Sequence, residues 1–209
     1  MTFRSTLLVA LLAASGLAQA HFVWIDPVGA DGVAKAYFGE WADDVRETES
    51  GYLKLVTAPR APAPDGKLLP VTRHNDSLQF QAAPNADARL VGGYVGDKGV
   101  ISLYQAKAGR TETQPRNPLE LVPVQPGGDT FVLMLSGQPL ADKEVVLFGP
   151  PKWEKKFRTD KEGRVTLQTP WPGPYVAEVG HLDKDGAGTW DGKAYTQTRH
   201  VATLTFIRP

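Results

Sequence analysis

Hydrophobic residues in this chain recur in short runs that alternate with polar residues or are continuously apolar. Turn-forming residues separate these runs, and the chain holds 21 Gly and 17 Pro. Short runs rich in β-branched and aromatic residues predict strands. The predicted strands are 22–25, 34–38, 53–56, 78–80, 89–94, 100–104, 119–122, 130–135, 144–148, 157–159, 165–168, 175–179 and 200–207. With no long helical period, the pattern predicts an all-β fold of two small antiparallel β-sandwich domains, immunoglobulin-like in architecture.

Two segments interrupt the strand pattern. Residues 41–49 carry a thin apolar face and are predicted to form the one helix. Residues 105–118 are polar and end in Pro115-Arg116-Asn117-Pro118, a composition typical of a connection rather than of a core strand. The predicted domains are therefore 21–117 and 118–209.

The first 20 residues have the pattern of a cleavable export signal. Arg4 precedes an apolar run over residues 7–14, and Ala18-Gln19-Ala20 provides small residues at the expected cleavage site. The run is too short to span a bilayer, and no later stretch of about 18 apolar residues exists. We therefore expect cleavage after Ala20, a mature chain that begins at His21 without a membrane span, and a periplasmic location.

Composition narrows the chemistry that the mature chain can perform. It contains no cysteine, and Met134 is its one methionine once Met1 is removed with the signal, so a metal would have to be held by nitrogen and oxygen. Arg4 is the charge lost with the signal, which leaves 23 − 1 = 22 basic and 23 acidic side chains, a net charge of −1. Without a basic tract, nucleic acid is not an expected partner.

Residues 137–141, 145–147, 159–165 and 172–175 together resemble the carboxypeptidase-regulatory-like, transthyretin-like β-sandwich family. These residues supply a Gly-x-Pro-Leu strand start, a Thr-Asp-x-x-Gly hairpin turn and a Pro-Gly-x-Tyr strand start. The resemblance implies a β-sandwich scaffold for the second domain and says little about activity.

A second resemblance covers the mature chain. Residues 21–24 (His-Phe-Val-Trp), 37–40, 46–47 and 195–206 are similar to periplasmic proteins grouped with the NikM-like nickel and cobalt uptake components. The resemblance implies a role in transition-metal handling outside the cytoplasm.

His21 is the leading candidate for a metal ligand. Cleavage before it would place a free α-amine and an imidazole Nδ1 on one residue, and together they can close a chelate ring on one ion. With a second histidine they would form the three-nitrogen site called a histidine brace. Nitrogen ligands in tetragonal geometry suit Cu²⁺, so copper is preferred, with nickel or cobalt next.

The second ligand is predicted from strand pairing. If Ala177 pairs with Leu204, the same antiparallel register puts His181 opposite His200 on one face, close enough for both imidazoles to meet one ion. The alternative is that either histidine is a hydrogen-bonded residue at the edge of the core. His74 lies in a polar turn and is a reserve ligand that is more simply a surface histidine.

Glu40 and Glu47 complete the candidate set. Each could be an oxygen ligand or a partner that orients an imidazole, or could simply be solvated.

Three functions remain open. The first is a metal carrier, sensor or uptake accessory that uses His21 with His181, His200 or both, serving a membrane metal transporter or receptor. The second is a copper-dependent oxidative enzyme. The third is a structural or interaction module of a membrane transport system, in which the histidines bind no metal.

Overall fold

Strands make up nearly every regular element of residues 21–209, the part of the chain that the structure, a computed structural model, describes. The predicted signal peptide, 1–20, lies outside the described residues. The strands of the first half are β1 Phe22–Ile25, β2 Val33–Glu40, β3 Val45–Arg46, β4 Thr57–Pro62, β5 Leu68–Leu69, β6 Thr72–Arg73, β7 Leu78–Gln81, β8 Ala88–Val95 and β9 Val100–Ala108. Those of the second half are β10 Leu119–Pro123, β11 Thr130–Leu135, β12 Gln138–Pro139, β13 Glu144–Gly149, β14 Trp153–Arg158, β15 Arg164–Thr166, β16 Gly173–Asp183, β17 Gly188–Trp190, β18 Lys193–Tyr195 and β19 Gln197–Arg208.

The all-β prediction is confirmed, and three local predictions are wrong, one of them at the start of the segment 105–118, where β9 continues to Ala108. The run 53–56 is a 3-10 turn, Leu53–Leu55, because it closes local backbone hydrogen bonds around the buried Leu53. The segment 41–49 is not a helix. A tight turn closes between Trp41 and Asp44, and β3 then pairs back onto β2, so the backbone hydrogen bonds are made across a hairpin.

An eight-stranded sheet forms the middle of the molecule, in the order β14-β13-β16-β19-β9-β8-β4-β5. Strands β19 and β9 pair in parallel, and the other pairs of this sheet are antiparallel. A five-stranded sheet runs β1-β2-β7-β6 with β3 on β2, and a four-stranded sheet runs β10-β11-β12 with β15 on β11. Both halves of the chain thus contribute to the middle sheet, and the division at 117/118 stays a prediction.

Each face of the middle sheet covers a separate core. Successive residues of a strand point to opposite faces. Along β19, Val201 belongs to a core shared with β1, β2 and β7, whereas Ala202 and Leu204 belong to a core shared with β10, β11 and β15. The five-stranded and four-stranded sheets therefore lie on opposite faces of the middle sheet.

In residues 21–209 no helix has the length and apolar character that a membrane crossing requires.

Candidate functional site

The predicted pairing of His181 with His200 is confirmed. Strands β16 and β19 pair with Ala177 opposite Leu204 and His181 opposite His200. The two imidazole rings are stacked, with centroids 6.2 Å apart and planes 21° apart.

The hydrogen bonds of His200 leave it without a lone pair for a metal ion. The backbone N–H of Leu119 donates to Oε1 of Gln105 at 2.6 Å, which fixes the orientation of that amide. The amide nitrogen of Gln105 then donates to Nδ1 of His200 at 3.0 Å. Neutral His200 therefore carries its proton on Nε2. Burial is the main reason that the pKa of His200 falls to about 4, so the ring is neutral at ordinary pH.

His21 lies between two carboxylates. Its Nε2 is 2.8 Å from Oε1 of Glu47, and its Nδ1 is 3.6 Å from Oε1 of Glu40. The hairpin of β2 and β3 places both glutamates: Glu40 ends β2, and Glu47 directly follows β3. Gly39 allows the close approach of the two strands, because a Cβ on it would lie 2.1 Å from the backbone oxygen of Val45.

The contact with Glu47 determines which nitrogen of His21 is available. A carboxylate oxygen can only accept a hydrogen bond, so Nε2 of His21 carries a proton and donates it to Glu47. In the neutral ring the lone pair is then on Nδ1, the nitrogen nearer Glu40. Adjacent donors bound to one ion in tetragonal geometry at about 2.0–2.2 Å stand roughly 2.8–3.1 Å apart. Nδ1 and Oε1 of Glu40 are 3.6 Å apart, so they would have to approach each other by roughly half an ångström to bind one such ion.

Glu47 also contacts the chain beyond His21. Its Oε2 accepts the backbone N–H of Tyr52 at 3.3 Å, and its own N–H donates to the carbonyl of Phe38 at 2.7 Å. The residue that orients His21 is therefore held at two points, its carboxylate by Tyr52 and its backbone by Phe38.

A cleft of about 280 Å³ opens beside His21. Apart from His21, it is lined by Phe38, Tyr52, Leu55, Tyr94 and Tyr104. The ring of His21 lies 5.6 Å from that of Phe38 and 5.8 Å from that of Tyr52. Burial raises the pKa of Tyr104 to about 12, so this hydroxyl remains protonated.

His21 does not meet the other two predicted ligands. The cleft beside His21 includes Tyr104, whereas the next residue along β9, Gln105, binds His200. Adjacent residues of a strand point to opposite faces, so His21 and the pair of His181 and His200 lie on opposite faces of the middle sheet. The structure therefore does not bring His21 together with His181 or His200.

His74 is exposed beside β6, and its backbone N–H donates to the carbonyl of Ser77. It is a surface histidine, as the sequence favoured.

Side chains alone do not complete a metal site in the described region. Among residues 21–209, no group of three or more His, Cys, Asp or Glu side chains is arranged to hold an ion. A metal at His21 would thus require a further donor, such as the α-amine that cleavage after Ala20 would free.

Sequence reasoning missed the cleft and Gln105. The cleft residues come from β2, β8, β9 and the 3-10 turn, and no local motif marks them as neighbours. Gln105 lay in the segment predicted as a polar connection, yet it is buried within β9.

Comparisons with known proteins leave the family open. No family model matches the chain, and no curated protein matches it. A solved structure from Bacteroides ovatus, the mixed-linkage glucan utilization locus protein SGBP-B in complex with a mixed-linkage heptasaccharide, is similar over 87% of this chain at 14% identity. The match spans 45% of that protein's length and has a TM-score of 0.19, too low to carry an argument. Both family resemblances noted in the sequence stay predictions.

Proposed function

We propose that this protein is an extracytoplasmic binding protein for a divalent transition metal, with copper preferred over nickel and cobalt. The observation that carries the proposal is the orientation of His21. Glu47 binds its Nε2, and its Nδ1 is left beside the carboxylate of Glu40. In metal sites, a carboxylate on the outer nitrogen of a ligating imidazole fixes its tautomer and raises its basicity.

The proposed ligand set combines three donors. Processing after Ala20 would give His21 a free α-amine, which forms a chelate ring with its own Nδ1, and Glu40 would add one oxygen. Nitrogen and oxygen donors with no sulfur suit Cu²⁺ and Ni²⁺ in tetragonal geometry. His200 has no place in this set because its Nδ1 accepts a hydrogen bond from Gln105. His181, on the same face as His200, is also outside it.

The exposure of the site supports a carrier, sensor or uptake accessory. The His21 side chain is 31% exposed and that of Glu40 is 22% exposed, so an ion there could pass to a partner without unfolding of the chain. The proposed partner is a membrane metal transporter or receptor, and the proposed location is the periplasm. Fractionation and N-terminal sequencing of the exported protein test the location and the cleavage together.

A copper-dependent oxidative enzyme is the second candidate. The observation that favours it is the set of tyrosines that line the cleft beside His21. In addition, a metal held by three protein donors would have a coordination position open to an exogenous ligand. Copper-dependent peroxide production by the processed protein would favour the enzyme. Tight copper binding without such production favours the carrier.

Calorimetric titration of the processed protein with Cu²⁺, Ni²⁺ and Co²⁺ tests the proposal. We expect one ion per chain, tightest for Cu²⁺, and a loss of affinity of at least about tenfold in Glu40→Gln, equivalent to about 1.4 kcal/mol. Asp43→Asn is the matched control, because Asp43 is an exposed acid in the same hairpin. Equal losses in the two variants, or no binding by the processed protein, would contradict the proposal.

A further inference from the structure

The cleft beside His21 has the lining of a site for a small ligand. Its floor is formed by the buried rings of Phe38 and Tyr104, whose centroids are 5.0 Å apart. Tyr52 stands at its mouth with 55% of its surface exposed. Apart from His21, the polar groups that these lining side chains offer are the hydroxyls of Tyr52, Tyr94 and Tyr104. Aromatic walls with a few polar groups are typical of sites for small organic ligands.

The cleft is connected to the proposed metal site through Glu47. One oxygen of this carboxylate accepts from His21, and the other accepts the backbone N–H of Tyr52. These bonds hold the imidazole and the backbone of Tyr52, and the ring of Tyr52 contacts the imidazole edge to face, with centroids 5.8 Å apart. Glu47 joins Tyr52 to Nε2, whereas the proposed ion is on Nδ1, so a ligand of that ion would have to extend past the imidazole ring to contact Tyr52.

We propose that the metal is bound together with a small exogenous chelator that carries a planar ring, and that this ring lies in the cleft against Tyr52 and Phe38. The proposal rests on the metal-binding function proposed above. The volume of about 280 Å³ suits a single ring with a short polar arm. A polysaccharide chain would need a longer surface, and Tyr52 is the one strongly exposed aromatic residue among the lining residues.

The test uses two chelators with identical donors. Phenylalanine and alanine both offer one amine and one carboxylate, but only phenylalanine carries a ring. Each is titrated into the copper-loaded processed protein, and the visible absorption band and the paramagnetic resonance spectrum of Cu²⁺ are followed. Ring stacking predicts that phenylalanine forms the ternary complex about three- to tenfold more tightly than alanine does. Tyr52→Ala should abolish this preference and Tyr52→Phe should keep it.

Controls separate this inference from the proposed function. Trp171→Ala removes an exposed aromatic residue on the other half of the molecule and should leave the preference intact. Equal affinity for the two amino acids on a protein that binds copper overturns the inference and leaves metal binding standing. A spectral response to cellohexaose but not to phenylalanine also overturns it, in favour of a carbohydrate. Absence of copper binding overturns both proposals.

Discussion

At the scale of single residues, Glu47 determines how His21 can act. It binds Nε2 of His21 at 2.8 Å, and this contact leaves Nδ1 beside Glu40. The position of Glu47 depends on the close pairing of β2 and β3 at Gly39. The sequence indicated both glutamates as candidates. It could not show which of them would bind a metal and which would orient His21, because that difference depends on which imidazole nitrogen each carboxylate faces.

We predict that Glu47→Ala weakens copper binding by about ten- to a hundredfold, the usual effect of removing a carboxylate that orients a ligating histidine. Glu47→Gln should fall between Glu47→Ala and the parent protein, because its amide oxygen can still accept from Nε2. Glu49→Ala is the control, since Glu49 pairs with Arg73. Calorimetric titration of all three variants with Cu²⁺ measures these affinities. An unchanged copper affinity in Glu47→Ala would contradict the role of Glu47 in orienting His21.

His200 predicts a pH dependence of stability. Its pKa falls from 6.5 to about 4 on folding, chiefly through burial and then through the neighbouring His181. Between these values the unfolded chain binds the proton and the folded chain does not, so stability falls as the pH falls from 6.5 to 4. The loss due to His200 is at most roughly 3 kcal/mol. Urea unfolding measures the decrease in the free energy of unfolding between pH 7 and pH 4.5. This decrease should be smaller in His200→Gln than in the parent protein, and equal decreases would contradict the role given to His200.

At the scale of elements, a buried ionic cluster joins β8, β9 and β10. Arg89 on β8 donates through Nε and Nη2 to Glu120 on β10, and Lys107 on β9 lies 3.3 Å from the same carboxylate. Burial alone would raise the pKa of Glu120, but the bonds from Arg89 outweigh it and hold the pKa below its usual range. These strands lie on both sides of the predicted boundary at 117/118.

We predict that Glu120→Ala lowers the free energy of unfolding by about 3–5 kcal/mol, because it leaves Arg89 and Lys107 buried without their shared partner. Glu144→Ala breaks an ion pair with Lys156 that is exposed on both sides, and it should lower the free energy of unfolding far less than Glu120→Ala does. Chemical denaturation of the two variants compares them directly. Similar small losses in both would show that the buried cluster does not hold the three strands together.

Some strand pairings could be predicted from the sequence and others could not. The register of β16 and β19 was predictable because Tyr175, Ala177, Leu204 and Phe206 must share one core face, and a one-residue slip would expose them. The turn at 41–44 was not predictable, because no local sequence signal shows that β3 folds back onto β2. The parallel pairing of β9 with β19 joins segments about 100 residues apart, and no local pattern encodes it.

At the scale of the whole molecule, one sheet lies between two cores, and this arrangement explains why the candidate site is smaller than the sequence predicted. Tyr104 and Gln105 are neighbours on β9, yet one faces the cleft of His21 and the other binds His200. The sequence could combine His21 with His181 or His200 in one site only because it does not reveal the sheet that separates them.

The shared sheet also predicts how the protein unfolds. Because β9 and β19 belong to the middle sheet and each of its faces covers a core, loss of either core should expose apolar surface in the other. We therefore expect amide hydrogens of β2 and of β11 to exchange through the same global opening, with equal free energies by native-state hydrogen exchange. Two distinct free energies would show two independently unfolding units.

Metal binding by the α-amine and imidazole of His21 is the central claim, and one comparison tests it most directly. The protein that begins at His21 and a version that keeps Ala20 before it differ in whether the α-amine belongs to His21, with every side chain beyond it unchanged. Titration of both with Cu²⁺ should show at least about tenfold weaker binding when Ala20 is kept, a difference of about 1.4 kcal/mol or more. Equal copper affinity in the two proteins would contradict the account.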